Sequence, residues 1–350
     1  KAKGWKPFPF QEDAWNAYLQ GKSGMLNAPT GSGKTYALWI PCILEFLRDH
    51  PRHDVTPEIR ILWVTPLRAL AKDIQRAMQE VCDDLDIRWT VGLRTGDTTT
   101  SERQNQKKRP PQVLVITPES IHVLLSQSDY PNFFKNLKAI IVDEWHELIG
   151  TKRGVATELA ISRLKALTEH QLKVWGISAT IGNLPQAQRV LLGEDLYKQS
   201  VAIKANIDKR IEIESILPDE VEKFPWTGHL GTKLLPKILP IIHKSKSTLL
   251  FTNTRSQTEL WYQAILRFAP ELSGIIAMHH GSMDHDIRGW VEDALHAEKL
   301  KLVVCTSSLD LGVDFRPVDT VIQIGGPKGV SRFFQRAGRS GHQPGAISKI

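Results

Sequence analysis

The sequence lacks the features that would indicate a membrane protein or a small disulfide-rich protein. No apolar run approaches the ~20 residues that a membrane-spanning helix needs. No short apolar segment follows a basic N-terminus, so we expect no secretory signal in these residues. The three cysteines, Cys42, Cys82 and Cys305, are far apart and form no CxxC pair. A zinc site or a disulfide framework is therefore not expected, and a reducing, cytoplasmic compartment fits best.

The composition is that of an ordinary globular protein with a basic bias. Hydrophobic residues make up 41% and charged residues 24% of the 350 residues, which argues against disorder and suggests two domains, each with its own core. The net charge of +7 and the pI near 9.2 favour polyanionic partners without demonstrating one.

Short β-branched runs alternate with amphipathic stretches, which predicts parallel sheets covered by helices, an α/β fold. The pattern weakens between residues 182 and 209 and then restarts, so we predict two lobes, residues 1–205 and 206–350. Residues 218–232, rich in Pro, Gly and Trp, are interpreted as an irregular insertion, and residues 346–350 as the start of a strand. The predicted strands are residues 24–28, 60–65, 113–117, 139–142 and 173–178, then 247–251, 274–278, 300–305 and 320–324. The predicted helices include residues 34–48, 67–81, 255–268, 285–297 and 330–336.

A glycine-rich loop joins the first predicted strand to the next helix. Residues 24–35 read GMLNAPTGSGKT and end as a P-loop ends, although Ala28 stands where the strict pattern has its first glycine. Gly31 and Gly33 would let backbone N–H groups turn around phosphate oxygens, and the helix start would add its positive end. Lys34 is predicted to reach the β- and γ-phosphates of ATP, and the Thr35 hydroxyl to ligate Mg²⁺.

An acidic pair follows a strand predicted to be buried on both faces. Residues 139–146 read AIIVDEWH, so Asp143 and Glu144 stand at the carboxyl end of that strand. Asp143 is predicted to hold Mg²⁺, and Glu144 to orient and deprotonate the attacking water. About 110 residues after a P-loop, in the same half of the chain, such a pair indicates ATP hydrolysis.

Together with Ser178-Ala179-Thr180, these segments resemble the P-loop, DExH box and SAT motif of superfamily 2 helicases. Further segments resemble the family's other motifs in the family's order. They are the Q motif at Gln11, motif Ia at residues 65–70 (TPLRAL), motif Ib at 95–97 (TGD), the TPE motif at 117–119, motif IV at 250–255 (LFTNTR), HHGS at 279–282, motif V at 305–314 (CTSSLDLGVD) and motif VI at 335–342 (QRAGRSGH). This resemblance implies two tandem RecA-like lobes with ATP hydrolysed in the cleft between them.

A narrower resemblance is carried by DEWHEL with GTKRGV at residues 150–155, and by QRAGRSGH. These segments resemble the Lhr (large helicase-related) proteins, and among them the bacterial ligase-associated DEXH-box DNA helicases. The resemblance implies a 3′-to-5′ translocase on single-stranded or tailed duplex DNA that works in DNA repair near the nucleoid. It also implies DNA ligase and nuclease partners, a winged helix and further C-terminal domains beyond these residues. Because no apolar run could span a bilayer, no membrane association is expected.

The family's motifs also imply roles for residues of this sequence. Nucleotide binding is assigned to Gln11, Thr30, Gly31, Ser32, Gly33, Lys34, Thr35 and Asp314, and catalysis to Lys34, Asp143, Glu144, Arg336 and Arg339. Nucleic-acid contacts are assigned to Arg68, Thr95, Gly96, Thr117, Thr254, Arg255, His280 and Thr306. Coupling between the two sites is assigned to His146, Ser178, Thr180 and Asp310. Because hydroxyls, amides and arginines suit phosphate contacts, we expect binding without sequence preference and with strong salt dependence.

Motif VI departs from many family members, because His342 stands where a third arginine is common. Arg339 is the predicted arginine finger, and either Arg336 shares its role or His342 supplies a hydrogen bond.

Several alternatives stay open. An RNA or RNA–DNA hybrid helicase would use the same motor, and selectivity would depend on contacts to the 2′-hydroxyl. A double-strand translocase is disfavoured because no large insertion stands at the lobe junction. A non-catalytic ATP-binding scaffold predicts damage to Lys34, Glu144 or Arg339, and all three are intact. A nuclease is disfavoured because the sequence has no second acidic cluster.

Overall fold

The computed structural model describes residues 6–29, 31–50, 55–179, 181–207, 210–218, 231–310, 318–327, 329–341 and 347–350. The chain divides into two compact units, Lys1–Ile207 and Asp208–Ile350, called lobe 1 and lobe 2 below. The division lies two residues after the predicted boundary at residue 205. The predicted insertion at residues 218–232 lies largely outside the described residues.

Lobe 1 is a seven-stranded parallel sheet with the strand order β3-β4-β2-β5-β6-β1-β7. Its strands are β1 (Gly24–Asn27), β2 (Ile61–Val64), β3 (Val91–Arg94), β4 (Val113–Ile116), β5 (Ala139–Val142), β6 (Lys173–Ser178) and β7 (Val201–Lys204). Its helices are α1 (Pro9–Leu19), α2 (Lys34–Asp49), α3 (Arg68–Asp84), α4 (Thr100–Lys108), α5 (Pro118–Leu125), α6 (Tyr130–Phe134), α7 (Trp145–Leu148), α8 (Lys152–Leu167) and α9 (Leu184–Tyr197).

The central strands of lobe 1 are buried on both faces because each face carries its own layer of helices. In β2, Ile61 and Trp63 join the core that includes residues of α1, α2 and α3. The neighbouring Leu62 and Val64 join the core formed with α5, α8 and α9. A period of two along the strand therefore distributes apolar side chains between two cores, as expected of a covered parallel sheet.

Lobe 2 repeats this plan with a four-stranded parallel sheet in the order β10-β11-β9-β12 and a small parallel pair, β13-β8. The strands are β8 (Ile211–Glu212), β9 (Thr248–Phe251), β10 (Ile276–His279), β11 (Leu302–Cys305), β12 (Thr320–Gln323) and β13 (Ser348–Lys349). The helices are α10 (Leu235–Lys244), α11 (Arg255–Phe268), α12 (His285–His296) and α13 (Val330–Ala337). Again one core forms with α12 and the other with α10 and α11.

The predicted α/β class is confirmed, and each predicted strand is present to within two residues at either end. The sequence did not predict β3 and β7, which form the two edges of the lobe 1 sheet. All three cysteines are free and buried. Within the described part of the chain, no helix is long and apolar enough to cross a membrane.

Candidate functional site

The carboxyl edge of the lobe 1 sheet carries most of the predicted site residues of that lobe, in two groups. The strands β5, β6 and β1 are neighbours and lead into Asp143, Ser178 and the P-loop. The strands β3, β4 and β2 are also neighbours and lead into Thr95, Thr117 and Arg68. Ligands of open parallel sheets bind outside the carboxyl ends of the β-strands. The strand order therefore separates a candidate nucleotide site from a candidate nucleic-acid-binding surface.

The P-loop has the backbone conformation that its glycines predict. Gly31 and Gly33 have φ angles of 79° and 78°, in the left-handed region that favours glycine. The Ser32 Oγ donates to the Pro29 carbonyl at 2.7 Å, which closes the loop. The helix α2 then begins at Lys34, whose side chain is 9% exposed. Successive N–H groups and a helix N-terminus together form an anion-binding concavity.

Gln11 contacts the P-loop directly. Its Nε2 donates to the Gly33 carbonyl at 3.1 Å, and its Oε1 accepts from the Phe8 N–H at 2.9 Å. Both polar ends of the amide therefore hold the start of α1 against the phosphate loop. Its predicted role in reading adenine stays a prediction.

Gly33→Ala is expected to weaken ATP binding by at least tenfold. A Cβ at this position would lie 2.8 Å from the Gln11 Nε2, and the φ of 78° would add roughly 1–2 kcal/mol of backbone strain. Gly21→Ala is the matched control, because Gly21 has a φ of 80° but nothing within 4 Å of its Cβ position. Titration with a fluorescent ATP analogue checks both variants, and equal affinities for the two would contradict this account of the loop.

Lys34 and the acidic pair after β5 form one buried cluster. The Lys34 Nζ donates to the Glu144 Oε1 at 3.3 Å, and both side chains are less than 10% exposed. The Asp143 Oδ1 accepts from the Glu144 N–H at 2.8 Å. Burial, and then the charge of Glu144, raise the pKa of Asp143 above its ordinary value. Two buried carboxylates beside one ammonium group leave negative charge that a further cation would stabilise.

Glu144 has a left-handed backbone conformation, with φ 46° and ψ 44°, just before α7. Such a conformation in a residue with a Cβ costs about 1–3 kcal/mol and is concentrated at functional sites. It turns the chain at the end of β5, so that Asp143 and Glu144 meet the P-loop lysine.

His146 links the acidic segment to the end of β6. Its Nδ1 lies 3.0 Å from the Ser178 Oγ and 3.4 Å from the Glu144 Oε2. Burial lowers the pKa of His146, which favours the neutral imidazole. The Ser178 carbonyl accepts from the Ala28 N–H at 3.0 Å, so the same residue contacts the strand that enters the P-loop. Two of the predicted coupling residues therefore bridge the DExH and SAT segments.

In lobe 2, Asp310 is the centre of an arginine cluster. The Arg336 Nε and Nη2 donate to its two carboxylate oxygens at 2.6 and 3.2 Å. The Arg336 guanidinium also donates to the Gln323 Oε1 at 2.5 Å and lies 4.6 Å from the centre of the Phe251 ring. Arg336 is 2% exposed. This arginine therefore holds α13 to the end of β12 and to the segment after β11.

Arg339 is held differently. Its Nε and Nη2 donate to the Asp310 backbone carbonyl at 3.2 and 2.7 Å. A backbone carbonyl binds a guanidinium less strongly than a carboxylate does.

Sequence reasoning did not single out Arg332, whose Nε lies 3.2 Å from the Asp310 Oδ2. The spacing of four residues between Arg332 and Arg336 was the available signal, because it puts both on one helix face.

The predicted nucleic-acid residues of lobe 1 have different surroundings. Arg68 is exposed and lies beside Gly96, and its Nη1 is 2.6 Å from the Asp97 Oδ1. Thr95 and Thr117 are both 3% exposed. The Thr95 hydroxyl accepts from the Asp97 N–H, and the Thr117 hydroxyl pairs with the Ser120 hydroxyl. These two buried hydroxyls therefore stabilise the backbone beneath the surface, whereas Arg68 and Gly96 are exposed on it.

In lobe 2, the predicted nucleic-acid residues follow three neighbouring strands, β10, β11 and β9. Thr254 caps α11 by accepting from the Gln257 N–H, and Arg255 is exposed beside it. His280 is 5% exposed, and neither ring nitrogen has a hydrogen-bond partner among the described residues. Thr306 is half-buried and contacts the Ser308 hydroxyl. An exposed arginine, a helix N-terminus and a buried imidazole thus meet at one sheet edge.

Four residues named from the sequence lie outside the described residues. They are Thr30, Thr180, Asp314 and His342. The roles of all the site residues stay predictions.

The donors at the lobe 1 site fit Mg²⁺. Among the described residues, no group of three or more His, Cys, Asp and Glu side chains gathers as a metal site. Mg²⁺ is commonly held by one or two protein oxygens together with substrate phosphates and waters. The buried Asp143 carboxylate, directly after β5, and the Thr35 hydroxyl, in the first turn of α2, match that requirement.

Two protein families match the chain. The DEAD/DEAH box helicase family matches residues 8–187, which is 180 of the 350 residues, and the helicase conserved C-terminal domain family matches residues 232–343. These matches coincide with the two lobes and identify both as RecA-like domains.

Curated relatives include helicases from archaea and bacteria. An ATP-dependent helicase Lhr-Core from Methanocaldococcus jannaschii is 35% identical over 349 residues, which cover 96% of this chain and 40% of that protein. The Lhr helicase/uracil glycosylase from Escherichia coli is 30% identical, and the match covers 98% of this chain and 26% of that protein. The chain thus spans less than half the length of these relatives.

Solved structures agree with this assignment. Mycobacterium smegmatis helicase Lhr bound to ssDNA and AMP-PNP has a TM-score of 0.81 and 32% identity, covering 98% of this chain and 45% of that one. Mss116p bound to ssRNA and AMP-PNP has a TM-score of 0.78 at 20% identity, covering 98% of this chain and 69% of that one, and shares the fold. The chain therefore belongs to the DEAD/DEAH box helicase family and is similar to the ATP-dependent helicases of the Lhr type.

Proposed function

We propose that this chain is the ATP-driven motor of a nucleic-acid helicase that translocates along single-stranded DNA. The observation that carries the proposal is the buried contact between Lys34 and Glu144, with His146 leading from Glu144 to Ser178. This arrangement supplies a phosphate-binding cation, a base that can deprotonate water and a connection to the end of β6. The Lhr structure bound to ssDNA and AMP-PNP, at 32% identity, supports DNA as the substrate.

The proposed hydrolysis begins with an exchange of partners at Lys34. Phosphate oxygens of ATP would take the place of the Glu144 carboxylate beside the Lys34 ammonium group. Glu144 would then be free to accept a proton from the attacking water. The Thr35 hydroxyl and the Asp143 carboxylate would hold Mg²⁺, which would neutralise developing negative charge.

Arg339 is proposed as the arginine finger and Arg336 as a residue that positions it. Arg336 has a carboxylate, an amide oxygen and an aromatic ring as partners, whereas Arg339 donates to the Asp310 backbone carbonyl. A carbonyl binds a guanidinium less strongly than a carboxylate does, so those two hydrogen bonds could be exchanged for a phosphate at lower cost. Asp310 contacts both arginines and belongs to the segment after β11, so it would transmit strand binding to the finger.

The proposed surface for the strand is the carboxyl edge of each sheet. Arg68 and Gly96 would contact phosphates in lobe 1, and Thr254, Arg255 and His280 in lobe 2. Thr95, Thr117 and Thr306 would support the backbone there. Such contacts position a strand without reading its sequence.

Unwinding of tailed duplexes tests the substrate and the direction of movement. The proposal expects ATP-dependent unwinding of a duplex with a 3′ DNA tail, and none of the same duplex with a 5′ tail. A matched substrate with a 3′ RNA tail separates the DNA motor from the RNA alternative. Unwinding from the RNA tail alone would replace this proposal with an RNA helicase, and unwinding from the 5′ tail alone would reverse its polarity.

A further inference from the structure

In each lobe, the exposed arginine predicted to bind phosphate already faces a carboxylate of the same lobe. Arg68 contacts Asp97 in lobe 1, and Arg255 lies 3.6 Å from the Glu259 Oε1 in lobe 2. These carboxylates had no predicted role. Because an arginine faces a carboxylate at both sheet edges, we interpret the two carboxylates in the same way.

The lobe 1 pair is built into the loop after β3. The Asp97 N–H donates to the Thr95 hydroxyl at 3.2 Å, and Arg103 donates to the carbonyls of Thr95 and Gly96 at 3.2 Å. Gly96 lets the guanidinium come close, because a Cβ there would lie 2.6 Å from the Arg68 Nη2. These contacts fix the backbone that carries Asp97, whose carboxylate pairs with the guanidinium that a phosphate bound to Arg68 would need.

The lobe 2 carboxylate, that of Glu259, faces two side chains that could bind a phosphate. The Glu259 Oε1 lies 3.6 Å from the Arg255 Nε and 3.7 Å from the His280 Nε2. The His280 ring is buried and lacks a hydrogen-bond partner among the described residues. The Glu259 side chain is 46% exposed and stands one turn after Arg255 on α11. Movement of this one flexible side chain would expose both groups to a phosphate oxygen.

We propose that Asp97 and Glu259 are intramolecular competitors of nucleic-acid phosphate, which weaken the grip of each lobe and promote release of the strand. This inference rests on the proposed binding of single-stranded nucleic acid at the two sheet edges. A bound phosphate must displace a carboxylate that then remains nearby as a like charge. A motor needs each lobe to release the strand in every cycle, and this competition lowers the cost of release.

The proposal predicts a change in salt dependence as well as in affinity. Each phosphate contact on a single strand adds about 0.7 to the slope of log affinity against log salt, because a counterion leaves the strand. Where a carboxylate must be displaced, that carboxylate takes up a cation and offsets the gain. Removing the carboxylate therefore restores the full slope. Loss of an exposed ion pair by itself changes an equilibrium constant by at most about fivefold.

The test compares Asp97→Asn and Glu259→Gln with two charge-matched controls. Asp49→Asn and Glu194→Gln each remove one carboxylate from an exposed arginine pair, Arg48–Asp49 at the end of α2 and Arg189–Glu194 near the end of α9. Both helix ends run back toward the amino edge of the sheet. All four variants change the net charge by +1. Binding of a labelled oligothymidylate to the full chain is measured by fluorescence anisotropy over a series of KCl concentrations, together with the dissociation rate.

Asp97→Asn and Glu259→Gln are each expected to bind about two- to fivefold more tightly than their controls. Each should steepen the salt slope by up to about 0.7, and the tighter binding should be expressed as slower dissociation. Variants indistinguishable from the controls would overturn the proposal. Weaker binding would also overturn it, because Asp97 or Glu259 would then orient its cation for phosphate. If the unmodified chain itself fails to bind the oligonucleotide, the proposed function fails instead.

Discussion

Glu144→Gln is expected to lower the ATP turnover by about 10²- to 10⁴-fold, the usual contribution of a general base. Glutamine keeps the size of the side chain at a position with strained backbone, so the fold around α7 should persist. The variant also removes the carboxylate partner of the buried Lys34. Because loss of this carboxylate leaves the buried ammonium group less well neutralised, ATP should bind at least as tightly as in the unmodified chain. Single-turnover hydrolysis and ATP binding, measured on the same preparation, check both halves of this result.

Glu147→Gln is the matched control for that variant. Glu147 lies 3.7 Å from His146 on the other side of the ring and is 25% exposed. The Glu147→Gln substitution removes the same charge three residues further along the chain. Near-normal turnover in Glu144→Gln, or an equal loss in both variants, would show that Glu144 is not the base.

Arg339→Ala is expected to reduce ATP turnover by about 10³- to 10⁵-fold while ATP still binds, the range found for arginine fingers. Loss of its two hydrogen bonds to the Asp310 carbonyl should lower the free energy of unfolding by roughly 0.5–1.5 kcal/mol for each bond. Thermal unfolding and ATP turnover, measured together, separate the loss of catalysis from the loss of the fold.

Arg336→Ala should behave in the opposite way and serves as the comparison. It breaks a buried ion pair and leaves the Asp310 carboxylate, 4% exposed, without its closest partner. Such a loss costs about 3–5 kcal/mol of unfolding free energy. If Arg339→Ala keeps full turnover while Arg336→Ala stays folded and loses it, the roles of the two arginines are reversed.

The sequence predicted the central strands well because their apolar runs are continuous. Residues 61–64 and 139–142 are buried at every position, and such runs can be recognised without knowing the neighbours. The edge strands β3 and β7 were missed for the opposite reason. In β3, Gly92 and Leu93 are only partly buried, and in β7 three of the four residues are not fully buried. Their pairing with β4 and β1 depends on the tertiary arrangement rather than on a local pattern.

For the candidate site too, the sequence predicted the features that depend on local spacing and missed the contacts that depend on the fold. Gly31, Gly33 and Lys34 follow one another in the chain, so the phosphate loop could be predicted from spacing. The hydrogen-bond partners of the arginines could not be predicted in this way. Gln323 and Asp310 reach Arg336 from different strand ends, and no spacing rule connects the three. Asp97 stood inside a predicted motif, yet its contact with Arg68 spans 29 positions and needed the fold to be seen.

The most direct test of the central claim is the ATP hydrolysis rate of the chain with single-stranded DNA, single-stranded RNA and blunt duplex added in turn. Glu144→Gln serves as the control for contaminating activity. The account predicts strong stimulation by single-stranded DNA that falls with added salt and disappears in the Glu144 variant. Hydrolysis that is indifferent to all three polymers would contradict it, because the nucleotide site would then be coupled to something other than a nucleic-acid strand.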